Sequence, residues 1–183
     1  MSELWPAIPA TSARAAGDRS IGEHPDAVDI NELDRASVRH FAGPTEGGNS
    51  TQRCPGISGY QLLVLYSDSR MSVTVVDPRG QQWALAYDKT ISPPFTSLAP
   101  VALWRVVERG SSGDSLALVI KVIANEDPAS ERVTAYWAVA KVAVLGSCVT
   151  ERVEAGSDEA ARIEAATSAV NARPCLLNQS SDK

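Results

Sequence analysis

Three cations each interrupt an apolar run near its middle: Arg105 in LWRVV, Lys121 in VIKVI and Lys141 in VAKVA. The three runs are consecutive, so a simple meander makes them sheet neighbours, and side chains on one face of adjacent strands stand ~5 Å apart at Cβ. A basic row built in that way attracts a small anionic ligand or an acidic protein partner. Trp104 and Trp137 lie beside it, on faces that alternation alone does not fix. Two plainer readings compete: a solvated sheet face with acidic neighbours, or charges that deter edge-to-edge aggregation.

Other chemistries find little to work with. Beyond residue 50 there is no histidine, so a Ser-His or Cys-His site would have to recruit His24 or His40. Gly110-Ser111-Ser112-Gly113 and Glu46-Gly47-Gly48 are glycine-rich, but neither joins a strand to a helix or supplies the Lys-Ser/Thr of a phosphate loop. The acidic pairs Glu126/Asp127 and Glu151/Glu154 are the material for carboxylate acid/base work, although no aromatic ladder accompanies them to stack sugar rings. Cys54, Cys148 and Cys175 are too far apart for a zinc motif. No catalytic residue, metal site or cofactor motif emerges.

Charge narrows the partners. The net charge is −5, with eight acids against four arginines in residues 1–50 and fourteen acids against thirteen bases in residues 51–183. Without a basic excess or a Lys/Arg-rich run, nucleic acid is not an expected partner. Lys121, Lys141 and Gly146 break the apolar stretches before the ~20 residues a membrane helix needs. Met1–Pro6 lacks the charged and apolar regions of a secretory signal, which reads as an intracellular chain or one whose leader was replaced by a start Met.

The elements that position these residues are short strands in series. Residues 1–50 are rich in Ala, Pro, Gly, Ser and Asp, the composition of a largely flexible arm, with a short helix expected over 29–41 from Ile30, Leu33 and Val38. From 51 to 177 the texture is that of an antiparallel meander of six to seven strands. The expected strands are 61–66, 71–77, 82–87, 101–108, 115–124, 132–145 and 148–154, the sixth long enough to require a bend or bulge. Asp77-Pro78-Arg79-Gly80 reads as a turn, and Pro93-Pro94 make Asp88–Pro100 a loop, pinned to the core by Phe95 and Leu98. Ser157 as N-cap and Pro174 as stop bound a helix over 158–173, whose stripe of Ala160, Ile163, Ala166, Ala169 and Val170 suits close packing on a sheet. Residues 178–183 are expected to form a flexible tail. The fold class is α+β, a meander packed by one C-terminal helix.

The helix and its preceding strand match in length. Strand 148–154 runs about 23 Å and helix 158–173 about 24 Å, so a helix doubling back over its strand returns Cys175 to the level of Cys148. A Cys148–Cys175 disulfide is sterically reasonable, and the alternative is two reduced, buried cysteines.

Cys54-Pro55-Gly56 with Gly59-Tyr60, the Ser67–Val76 strand pair, Leu103-Trp104-Arg105, Val139–Val142 before Cys148, and a helix ending at Cys175 resemble, in that order, a family of small exported proteobacterial proteins of unknown function. The likeness spans residues 30–177. It implies a periplasmic or secreted location, against a cytoplasmic one for the chain as written. Family members usually carry a further cysteine ahead of the CPG element and a signal peptide; Leu33–Arg53 has no cysteine, which leaves Cys54 without a partner.

The expected function is a non-enzymatic binding or inhibitory module that contacts a protein or small anionic partner through an open sheet face or the Asp88–Pro100 loop. A cell-envelope hydrolase using carboxylates and a structural or accessory subunit are the alternatives.

Overall fold

Leu116 to Ala124 explain most of the architecture. Leu116, Leu118, Ile120, Val122 and Ala124 point to one side of their strand and Ala117 and Val119 to the other, and all seven are buried. A strand buried on both faces needs a cover on each side. The computed structural model describes residues 36–40, 49–111, 113–127, 129–130 and 132–177, and in it both covers are present.

Among the described residues nine strands form the sheet: β1 (Ala36–His40), β2 (Ser50–Pro55), β3 (Gln61–Ser67), β4 (Arg70–Val76), β5 (Gln82–Ala84), β6 (Phe95–Gly110), β7 (Gly113–Asn125), β8 (Thr134–Ala143) and β9 (Gly146–Glu154). The helices are α1 (Tyr87–Thr90) and α2 (Glu159–Ser168). The strand order is β2-β3-β4-β6-β7-β8-β9, with β5 beside β4 and β1 beside β6. On one side, β2–β5 fold over β6–β9 around Leu62, Val64, Val73, Val75, Trp104 and the inward residues of β7. On the other, α2 sets Ile163 and Ala166, and the turn after it Val170, on Leu103, Ala117, Val119, Trp137, Val139 and Val153.

The α+β class holds, with differences of detail. The sheet is larger than six or seven strands and is not wholly antiparallel, since β4 meets β6 in a single parallel pair, Arg70 with Thr96. There the Thr96 hydroxyl accepts from the Met71 N–H at 3.3 Å and donates to the Met71 carbonyl at 3.1 Å. Beyond this pair the strands part: β4 continues along β5, and β6 along β1. Where a helix over 29–41 was expected, residues 36–40 are strand, because Val101–Arg105 of β6 offers them an edge. Residues 36–40 and Ser50 are thus part of the sheet, and residues 1–35, 41–48 and 178–183 lie outside the described residues.

The expected loop at 88–100 shrinks to residues 91–94. Tyr87–Thr90 close a helical turn after Ala86 enters the left-handed region at φ 48°, which also ends β5 three residues short of Tyr87. β6 then runs through Pro100 by way of an irregularity between Leu98 and Ala102, a place where a residue without an N–H is tolerated. The strand expected over 132–145 is shorter, Thr134–Ala143, and carries no extra residue; the irregularity beside it lies on β9, where Thr150 is skipped between the Val139–Glu151 and Ala140–Val149 pairs. α2 is shorter than 158–173, begins after Asp158 rather than Ser157, and leaves Ala160 exposed.

Cys148 and Cys175 are bonded, with Cα atoms 5.6 Å apart. The bond, a Leu176 N–H to Val149 carbonyl hydrogen bond of 2.8 Å and an Arg173–Glu151 ion pair lay residues 173–176 along the outer edge of β9. An edge covered in this way cannot recruit another chain. Cys54 is free and buried, and burial pushes its thiol up, away from the reactive thiolate. The CPG element it begins is a tight turn: Gly56 N–H donates to the Tyr60 carbonyl at 3.0 Å, and a Cβ on Gly56 would stand 2.8 Å from Trp104 Cζ2.

Two outcomes follow for stability. Gly56→Ala should cost about 2 kcal/mol by overpacking against Trp104 and lower Tm by roughly 4–8 °C, whereas Gly156→Ala, with only the end of Arg162 nearby, should leave it unchanged. Reducing the disulfide should cost about 3 kcal/mol, and thiol titration of the unfolded, unreduced chain should give one reactive thiol, Cys54.

Candidate ligand-binding cleft

The basic row is real in register but does not form an open patch. Arg105 and Lys141 both sit opposite Ala117, one strand to either side of it, and Lys121 lies four residues farther along β7. All three share a face of the sheet, and that face is the one α2 covers. Arg105 Nη1 donates to Glu164 Oε1 of α2 at 2.5 Å, and Glu164 also accepts from Ser168 Oγ at 3.2 Å. The Lys121 ammonium stands 5.3 Å from the Trp137 ring centroid. Lys141 faces Cys148 across β8 and β9 and has no ion-pair partner among the described residues. The cations thus ring the seat of a helix, and Arg105 fastens it.

Neither tryptophan is placed to meet a ligand. Trp104 is next to Arg105 in sequence, so alternation turns it to the opposite face, where it is wholly buried. Trp137 is buried on the α2 side. Three of the four paired acids are also engaged. Glu126 accepts from Tyr136 Oη at 2.7 Å and Thr134 Oγ1 at 3.2 Å, Asp127 accepts from the Ala129 N–H at 3.0 Å, and Glu151 pairs with Arg173. Among the described residues no three His, Cys, Asp or Glu side chains gather as a metal site.

A cleft opens instead where β4 and β6 part. It has a volume of about 530 Å³ and is lined by Leu65, Ser67, Asp68, Arg70, Met71, Ser72, Asp88, Pro93 and Thr96. That volume suits a small organic ligand, for which pockets run from roughly 300 to 1,000 Å³. Two consecutive left-handed residues, Asp68 at φ 50° and Ser69 at φ 58°, turn the chain tightly and deliver Arg70 to the start of β4. Its guanidinium is held on three sides: Nη1 to Asp68 Oδ2 at 2.8 Å, Nε to the Pro93 carbonyl at 3.3 Å, and the Phe95 ring centroid at 5.6 Å. The side chain remains 42% exposed.

The facing wall is equally fixed. Ser72 Oγ accepts from the Tyr87 N–H at 3.2 Å, which anchors α1 and brings Asp88 to the lip. Arg152 of β9 donates to the Ile91 carbonyl at 2.5 Å and stacks on Tyr136 at 4.8 Å. Two arginines from opposite layers therefore grip carbonyls 91 and 93 of the connector between α1 and β6. Phe95, expected to pin this segment into the core, is 39% exposed and lies under Arg70. Asp88 and Pro93 fall in the segment that the sequence proposed as a contact element; Arg70 was missed, and its one signal was its position directly after a polar turn.

Comparison with protein-family models, with characterised proteins and with solved structures finds no match to this chain.

The Arg105–Glu164 contact gives a pH dependence. The hydrogen bond from Arg105, and secondarily its charge, outweigh desolvation and hold the Glu164 carboxyl below its ordinary 4.5. A carboxyl with a lower pKa folded than unfolded adds stability that is fully present above about 4.5 and lost as pH falls through the folded value. Tm measured from pH 6 downward should therefore fall more steeply below about 4.5 in the wild type than in Glu164→Gln.

Proposed function

We propose that the protein is an exported, non-catalytic binding module that takes a small anionic ligand in the cleft between the β3–β4 turn and the α1–β6 connector. The observation that carries the reading is Arg70, a guanidinium pre-positioned by Asp68, the Pro93 carbonyl and Phe95 at the mouth of a part-apolar hollow, with much of its surface still open. Leu65 and Met71 supply apolar contact for the body of the ligand, and the Ser67 hydroxyl adds a donor. Two of the three lining hydroxyls are spent on backbone, Thr96 on Met71 and Ser72 on Tyr87.

Export rests on the Cys148–Cys175 bond, which is suited to an oxidising compartment, and on the likeness to small exported proteobacterial proteins. A periplasmic or secreted location is the corresponding proposal.

Calorimetric titration of the oxidised protein with succinate, benzoate and inorganic phosphate tests the reading. At least one should bind, and Arg70→Ala should weaken it 10- to 100-fold, the loss of about 1.5–3 kcal/mol from a charge-assisted hydrogen bond. Lys121→Ala with Lys141→Ala should bind as the wild type does. Equal binding by Arg70→Ala would sink the proposal, as would failure of all three anions.

A further inference from the structure

A second hollow, of about 480 Å³, lies at the other end of β4, where the β4–β5 turn meets the β8–β9 turn, lined by Arg79, Gly80, Gln81, Trp83, Val144 and Leu145. Leu145 stands on its lip, 92% exposed, more than any other large apolar side chain among the described residues. Turn chemistry gives no reason for it. Two-residue hairpin connections favour Gly, Asn, Asp or Ser, as at Asp68-Ser69 between β3 and β4. Here the tip is Val-Leu, and the leucine, in solvent, adds nothing to the core. Gly146, at φ 152°, takes the special backbone position, so Val144 and Leu145 are not strained; what the fold leaves unexplained is a large apolar side chain held in solvent.

The tip is also held firmly. Arg79 Nη2 donates to the Val144 carbonyl at 2.5 Å. The same guanidinium reaches the fully buried carboxylate of Asp77 through Nε at 3.2 Å and Nη2 at 3.1 Å, and Asp77 is itself fixed by the N–H groups of Arg79 and Gln81 at 2.9 and 2.8 Å. Behind the tip, a Cβ on Gly146 would stand 3.8 Å from the Trp83 ring. A rigid apolar knob loses little freedom on docking. Arg79, 60% exposed, puts a cation at its foot. A second exposed apolar residue, Leu176, is tied to Val149, about 10–13 Å along β9.

We infer that the β8–β9 turn is a protein-docking knob: Leu145 enters an apolar pocket on a partner protein whose rim carries a carboxylate that meets Arg79. A lipid surface fits less well, because one leucine and one arginine fall short of the two signals that stable membrane anchoring takes, and the chain's net charge of −5 opposes anionic lipid. The knob shares no lining residue with the Arg70 cleft, so the two proposals stand or fall separately.

The test is a constrained-peptide display selection on the full-length oxidised protein, with enriched peptides then titrated against variants. Peptides pairing an acidic residue with aliphatic or aromatic ones should emerge, bind Leu145→Asp and Arg79→Gln at least 10-fold more weakly, and bind Arg70→Ala unchanged. Leu145→Asp should keep the wild-type Tm, since its side chain stands in solvent. The inference is overturned by peptides that bind Leu145→Asp as tightly as the wild type, by a selection that enriches nothing, or by co-sedimentation with phosphatidylglycerol vesicles that Leu145→Asp abolishes, which would assign the tip to lipid.

Discussion

The structure depends on burying both faces of β7 and β8. Trp104, Leu118, Ile120 and Ala138 need one apolar layer, and Val119, Trp137 and Val139 need another. Each aliphatic side chain removed from water contributes about 1.5–3 kcal/mol, so leaving either face open would forfeit more than the whole net stability of a typical domain. The first layer comes from folding β2–β5 across the sheet, and the second from α2. The fastenings of α2 follow from its position: Arg105 to Glu164, Arg173 to Glu151 and the disulfide all tie the helix or its tail to the strands beneath.

Folding one end of a sheet across the other requires a parting, and the parting makes the cleft. β4 and β6 stay together only at Arg70 and Thr96 before each takes a new neighbour. Backbone groups at such a place lose their ladder partners and must be met by side chains. Thr96 serves Met71, and Arg70 and Arg152 serve the carbonyls of Pro93 and Ile91. Arg70 thus has a structural duty that holds it in place while part of its guanidinium remains open to a ligand. The same folding brings the β8–β9 turn over Trp83 and against Arg79 at the far end of β4, where the second hollow forms.

Much of this was legible in the sequence. Alternation located β3, β4, β7 and β9 to within a residue or two, and the Asp77–Gly80 turn closes as its residues require, with Gly80 at φ 86°. The Cys148–Cys175 pairing holds although α2 stops at Ser168, short of the expected length, and the stretch after the helix carries the chain on to Cys175. What was not legible depends on partners far apart in the chain. Ala36–His40 is a strand only because β6 has an edge there, and Ala86 adopts a left-handed conformation without the glycine that would have announced it. The register sets Arg105, Lys121 and Lys141 on one face, but the apolar residues that flank each lysine on both faces of β7 and β8 also meant that neither face of these strands could stay open. That inference would have moved attention from Arg105, Lys121 and Lys141 to the ends of the strands.

Hydrogen exchange on the oxidised protein, followed residue by residue, tests the doubly covered sheet most directly. The slowest amides should lie in Leu118–Val122 of β7 and Ala138–Ala140 of β8, and reducing the Cys148–Cys175 bond should speed exchange in α2 and β9 while β3 and β4 keep their rates. Slowest exchange in β3 and β4, or an α2 indifferent to reduction, would contradict the account.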